Sequence, residues 1–365
     1  MIRKALWLSA TTAFSVALTM AASAQERVVN VFNWSDYIDE SIIADFTKET
    51  GIKVVYDVYD SNEILETKLL AGGSGYDVVV PTGSFLQRQI EAGVYQKLDK
   101  SKLPNLKNMW DVVTDRTKIF DPGNEYSINY MWGTIGIGYN IAKIKEALGT
   151  DKIDSWKAVF DPEQAAKLKD CGINFLDSPT DMIPVTLAYL GLNPDSHDPA
   201  DIAKAEEALL KVRPYVRKFH SSEFINGLAN GDICIAVGWS GDIFQARDRA
   251  AEADQGVELS YVIPKEGTQM WFDQMAIPAD APHVAEAHEF LNYIMKPEVI
   301  AKSSNYVFYA NGNKASQEFL DPEVRNDPAV YPDDAVLAKL FVNTTLDPKT
   351  QRVFTRAWTK IVTGQ

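Results

Sequence analysis

Along most of the chain, short apolar runs alternate with amphipathic stretches of helical spacing. Val28 to Phe32 reads as a buried strand, and Ile42, Ile43 and Phe46 mark one face of a helix that stops near Gly51. Ile52 to Tyr59 predicts a second strand, Asn62 to Ala71 a second helix, and Tyr76 to Pro81 a third strand. A further helix is predicted from about Phe85 to Ala92. Later, Leu259 to Pro264 reads as a strand. Val284, Ala287, Phe290, Leu291 and Ile294 follow helical spacing within His283 to Met295, and Val353, Phe354 and Ile361 mark a terminal helix. This strand-helix rhythm implies an α/β fold with a parallel sheet and right-handed crossovers. In such sheets ligands sit beyond the carboxyl ends of strands, where Trp34 and Thr82 fall.

The first residues follow a different pattern. Arg3 and Lys4 precede an apolar run from Ala5 to about Met20 and the small-residue site Ala22-Ser23-Ala24, which is the layout of a signal peptide over residues 1–24. The run is interrupted by Ser9, Thr11, Thr12 and Ser15 and is short for a membrane span, and no later stretch is long and charge-free enough for one. No cysteine adjoins the cleavage site to carry a lipid. A soluble protein without a membrane anchor, free in the periplasm, is expected. Removing 24 residues from 365 leaves 341. That exceeds the roughly 250 to 300 residues at which single cores stop growing, so two lobes are expected. Two cations leave with the leader, taking the formal charge from −14 to −16. This balance argues against nucleic acid or anionic membranes as partners and suits a polycation, although solubility alone would account for it.

Candidate chemistry clusters around tryptophan. The hexapeptide Asn33 to Ile38 places Trp34, Ser35, Asp36 and Tyr37 together. The pairing recurs as Trp239-Ser240-Gly241-Asp242 and as Trp271-Phe272-Asp273. An aromatic face attracts a protonated amine through the ring quadrupole, and a carboxylate adds a charge-assisted hydrogen bond. Each tryptophan could equally be core, and Asp242 could serve as a helix N-cap. The glycines of Gly72 to Asp77 lack the Lys-Ser/Thr of a phosphate loop, and Gly133 to Gly138 has the wrong spacing for a dinucleotide fingerprint; strand or turn glycines fit better. Tyr306 and Tyr309 have no His or carboxylate cluster beside them at metal-ligand spacing, so neither metal nor cofactor is expected.

With these segments, YDVVVPTGSF (Tyr76 to Phe85), WGTIGIGYN (Trp132 to Asn140), AVGWSGD (Ala236 to Asp242) and WFDQMAIP (Trp271 to Pro278), the chain resembles the periplasmic spermidine/putrescine-binding proteins of polyamine ABC transporters. The resemblance covers the mature chain. It implies a two-lobed periplasmic solute-binding protein of type II, with a hinge and an interlobe ligand cleft. Lobe 1 would comprise residues 25–133 and 265–307, and lobe 2 residues 134–264 and 308–365. Its ligand set falls on Trp34, Ser35, Asp36, Tyr37, Thr82, Ser84, Asp181, Trp239, Asp242, Trp271, Asp273 and Tyr309, with Asp181 standing where relatives more often carry Glu. The implied partners are a polyamine and an inner-membrane permease, the protein acting as a monomer. Position 271 tends to be Trp in relatives that prefer spermidine and Phe in those that prefer putrescine, which implies a spermidine-preferring member.

In an exported chain the two cysteines, Cys171 and Cys234, are expected to pair, and relatives carry a bridge there. The competing reading is a reactive thiol. None of His197, His220, His283 or His288 stands in a recognisable nucleophile signature beside it. Three functions therefore compete: a polyamine receptor, a receptor of the same fold for a sugar or another organic cation, and a Cys-dependent enzyme on that fold.

Overall fold

The structure, a computed structural model, describes residues 27–365; the leader over residues 1–24 lies outside the described residues. Among the described residues eleven strands build the sheets: β1 (Val28–Trp34), β2 (Lys53–Tyr59), β3 (Val78–Val79), β4 (Ser127–Asn140), β5 (Ile173–Phe175), β6 (Val216–Phe219), β7 (Ile235–Trp239), β8 (Leu259–Val262), β9 (Thr268–Ala276), β10 (Ala310–Asn311) and β11 (Leu340–Phe341). Their path runs β2-β1-β3-β9-β4-β7-β5-β6. β1 pairs in parallel with β2 from Val28↔Lys53 to Trp34↔Tyr59, and with β3 on its other side.

Local sequence explains the first helices. Asp39 caps Glu40–Thr50 by accepting from Ser41 N, Ile42 and Phe46 are buried, and Gly51 ends the helix at φ 71°. Ser61 likewise caps Asn62–Leu70. The third strand is shorter than Tyr76 to Pro81. Asp77 uses its side chain to accept from Asn30 N, and Pro81 has no N–H to extend the ladder.

β4 organises the two lobes. Its first half lies antiparallel to β9, from Ser127↔Ala276 to Thr134↔Met270. Its second half lies antiparallel to β7, from Ile135↔Trp239 to Tyr139↔Ile235, and to β8. One strand thus passes from the sheet containing β1 to β3 into the sheet containing β5 to β7. The expected GTIGIG strand glycines lie in it.

One expected boundary moves. The chain after residue 307, assigned from the resemblance to lobe 2, first adds β10 to the first-lobe half of β4, at Trp132 and Met131. The cause is Phe308, which ends the helix Pro297–Val307 with φ 57° and turns the chain back into the sheet. A two-residue strand leaves no periodicity to read. The chain approaches the second lobe again at β11, beside Thr268 and Gln269, and the terminal helix Pro348–Thr363 packs on helices Pro179–Tyr189 and Pro199–Val212.

Cys171 and Cys234 form a disulfide, their Cα atoms 5.4 Å apart, so neither offers a thiol. Among the described residues no helix is long and apolar enough to cross a membrane.

Candidate functional site

Strand ends and helix starts from both lobes converge on one cleft, with about 630 Å³ of empty space including its mouth. From the first lobe come Trp34 at the end of β1, Ser35 and Tyr37 after it, Asp60 and Asn62 after β2, and Thr82, Ser84 and Phe85 after β3. From the second come Thr180, Asp181, Ser221, Trp239 and Asp242, and the crossing segments add Gln269, Trp271, Asp273 and Tyr309.

Aromatic rings wall the cleft. Trp34 donates from Nε1 to Val80 O at 2.9 Å, which fixes its indole 5.9 Å from that of Trp239. Trp271 and Tyr37 each meet Tyr309 edge-on, at 5.1 and 5.3 Å. Two glycines make this packing possible. A Cβ on Gly133 would lie 2.6 Å from the Trp271 ring, and one on Gly241 would lie 2.4 Å from Val307 O and 2.5 Å from the Tyr309 ring. The glycine of W-S-G-D is thus a seat for a distant tyrosine.

Three carboxylates point at the same space. Asp273 accepts from Tyr37 Oη at 2.8 Å and from Thr82 Oγ1 at 2.6 Å. Asp242 accepts from Tyr309 Oη at 2.7 Å. It lies inside the first turn of Ser240–Ala253, whose N-cap is Trp239, so it is not the N-cap itself. Asp181, in the first turn of Pro179–Tyr189, accepts from Gln269 Nε2 at 3.3 Å. Among the described residues none of the three forms an ion pair. Burial pushes each carboxyl from 3.8 up to about 7, against the opposing hydrogen bonds from Tyr309 to Asp242, from Thr82 and Tyr37 to Asp273, and from Ser178, Trp239 and Gln269 to Asp181. Such a site holds negative charge that neutral donors stabilise only in part.

All the residues expected from the sequence line this cleft except Asp36. Its backbone is left-handed (φ 53°), a conformation Asp tolerates better than most residues. Its carboxylate bonds to Arg249 Nη2 at 2.9 Å, and its carbonyl accepts from Gln245 Nε2 at 3.3 Å. Asp36 therefore joins the lobes at the lip of the cleft, and nothing in its sequence context reveals the turn that points it there. The opposite lip is joined by Thr345 Oγ1, which donates to Ser84 O at 2.8 Å and to Gln87 Oε1 at 2.7 Å.

Asp60, Asn62, Phe85, Thr180, Ser221 and Gln269 also line the cleft and were not expected. Asp60 and Asn62 could have been found from position, because they follow the end of β2 as Ser35 follows β1. Asn62 exchanges hydrogen bonds with Thr82, donating to Oγ1 at 2.9 Å and accepting from the backbone N at 3.0 Å.

Comparison with known proteins agrees with this architecture. The putrescine-binding periplasmic protein SpuD of Pseudomonas aeruginosa is 55% identical over 98% of this chain and 98% of its own. The putrescine-binding periplasmic protein PotF of Escherichia coli is 50% identical over the same shares. Among solved structures, a putative spermidine/putrescine ABC transporter from Listeria monocytogenes superposes with a TM-score of 0.82 at 34% identity, covering 92% of this chain and 98% of that one. The family model for bacterial extracellular solute-binding proteins matches residues 41–332. With two lobes built around β4 and a cleft between them, this chain belongs to that family.

Proposed function

We propose that the chain is a periplasmic receptor that holds a linear polyamine in its cleft and delivers it to the permease of an ABC transporter. One observation carries this reading: Asp181, Asp242 and Asp273 converge in an indole-walled cleft, and among the described residues none of them forms an ion pair. Ammonium groups would supply the missing charge, and methylene spans would lie against Trp34, Trp239 and Trp271. A sugar would stack equally well but would leave the carboxylates uncompensated.

For the preferred ligand we favour putrescine, bound at least as tightly as spermidine, over the spermidine preference expected from Trp271. The relatives at 55% and 50% identity are named for putrescine, whereas those named for spermidine and putrescine together are 33% to 34% identical. Trp271 itself sits in the slot at Gly133 and meets Tyr309 edge-on, so its indole serves as a wall of the cleft.

Calorimetry of ligand-stripped protein against putrescine, cadaverine, spermidine and spermine tests both levels. Binding of all or most of them, with putrescine in the tightest group, is expected. Trp271→Phe should weaken putrescine and spermidine alike. No binding of any polyamine would end the receptor reading. Spermidine at least tenfold tighter than putrescine would restore the preference expected from Trp271.

A further inference from the structure

The two lips of the cleft carry opposite electrostatics. At one, Asp36 meets Arg249. Beside the other, Glu63 on the first-lobe helix Asn62–Leu70 feels the charges of Asp177 and Asp181 on the second lobe, and its neighbour Asn62 lines the cleft together with Asp181. Glu63 Oε1 is sealed from solvent and has no hydrogen-bond partner. The near cation, Arg88, is engaged in a fork with both oxygens of Glu66, at 2.7 and 2.8 Å. Asp177 is held by Trp358 Nε1 at 2.8 Å.

We propose that Glu63 is a positioning residue that holds the empty cleft open, making closure depend on a bound polycation; this rests on the polyamine reading above. With the lobes apart, water reaches the Glu63 carboxylate. Closure strips that water without supplying a donor to Oε1 and brings the group toward two acids of the other lobe. An ammonium group near Asp181 offsets the repulsion, so the seam shuts over cargo. The groups around Glu63 agree with this role. Burial raises its carboxyl, its own backbone N–H and then Arg88 lower it, and Glu66 and Asp177 raise it. In turn Glu63 raises Asp181 across the seam.

Small-angle scattering of ligand-stripped wild type, Glu63→Gln and Glu63→Asp, with and without putrescine, tests this. At pH 7.5 the empty Glu63→Gln protein should be more compact than empty wild type, so that putrescine compacts it by less than about half of the wild-type change. Glu63→Asp, which keeps the charge, should behave as wild type. The wild-type and Glu63→Gln profiles should converge as pH falls and Glu63, raised by its burial, takes up a proton. Identical empty wild type and Glu63→Gln at pH 7.5, or an empty Glu63→Asp protein as compact as Glu63→Gln, would overturn the proposal while leaving the polyamine reading intact if wild type still closes on putrescine. Wild type that neither binds nor compacts with putrescine would overturn both.

Discussion

Each buried acid of the cleft is held by neutral hydroxyls or amides, and that choice of partner decides what the site can bind. A lysine beside Asp273 would have neutralised it. Tyr37 and Thr82 instead orient both oxygens and leave the charge to be matched from outside. Asp273→Asn should therefore weaken putrescine binding by about 1.5 to 3 kcal/mol, the scale of a hydrogen bond to a charged group. Calorimetry on folded variant protein checks this, and unchanged affinity would remove Asp273 from the site. Gly241→Ala probes the second acid indirectly. The added methyl would collide with Val307 O and with the ring of Tyr309, the donor to Asp242. A stability loss of about 1 to 3 kcal/mol in denaturant unfolding is expected, with weaker ligand binding, because a well-packed core resists insertion. At this scale two of the three Trp-carboxylate pairings, Trp239 with Asp242 and Trp271 with Asp273, were legible, since repeats of one chemistry are hard to place separately. Asp36 was not, because its direction depends on a left-handed backbone and on Arg249, more than two hundred positions away.

Among the elements, helices with a buried stripe were read closely, as the stop of Glu40–Thr50 at Gly51 and the bounds of Val284–Ile294 show. Elements defined by their partners were harder to read. β3 forms only where Val78 and Val79 meet β1, and β10 exists only as a neighbour of β4. Periodicity also could not show that β4 serves both lobes, because all fourteen of its residues are buried and no alternation marks the crossing. The disulfide belongs to this scale. It ties Cys171, just before β5, to Cys234, just before β7, and Arg217 reaches the carbonyls of Asp170 and Asp232 beside the two cysteines, at 2.8 and 2.6 Å. Closing a loop of 63 positions corresponds to about 4 kcal/mol of stabilisation in the chain-entropy model. Denaturant unfolding with and without reductant should reveal a loss approaching that value, with little change in putrescine affinity because the cleft lies elsewhere. Equal stability in the two conditions would mean that Arg217 and the surrounding β5-β7 pairing already hold the segment.

For the whole molecule, closure and charge are one problem. In the shut cleft Asp181, Asp242 and Asp273 are each pushed up to about 7 by burial, whereas carboxyls reached by water with the lobes apart ionise near their ordinary 3.8. Between about pH 4 and pH 7 the closed empty form therefore binds more protons than the open one. By linkage, its stability relative to the open form is greatest below pH 4 and falls as pH rises through 7. A polyamine reverses the trend, since its ammonium groups favour the ionised acids that closure alone disfavours. The radius of gyration of ligand-free protein should accordingly increase from pH 5 to pH 8, while the putrescine-saturated protein stays compact throughout. At pH 6 putrescine binding should release protons, seen as a dependence of calorimetric enthalpy on the ionisation heat of the buffer. A ligand-free radius that does not change with pH, together with a buffer-independent enthalpy, would mean that the three acids stay ionised in the shut cleft. Closure would then be governed by the lip contacts of Asp36 with Arg249 and of Thr345 with Ser84.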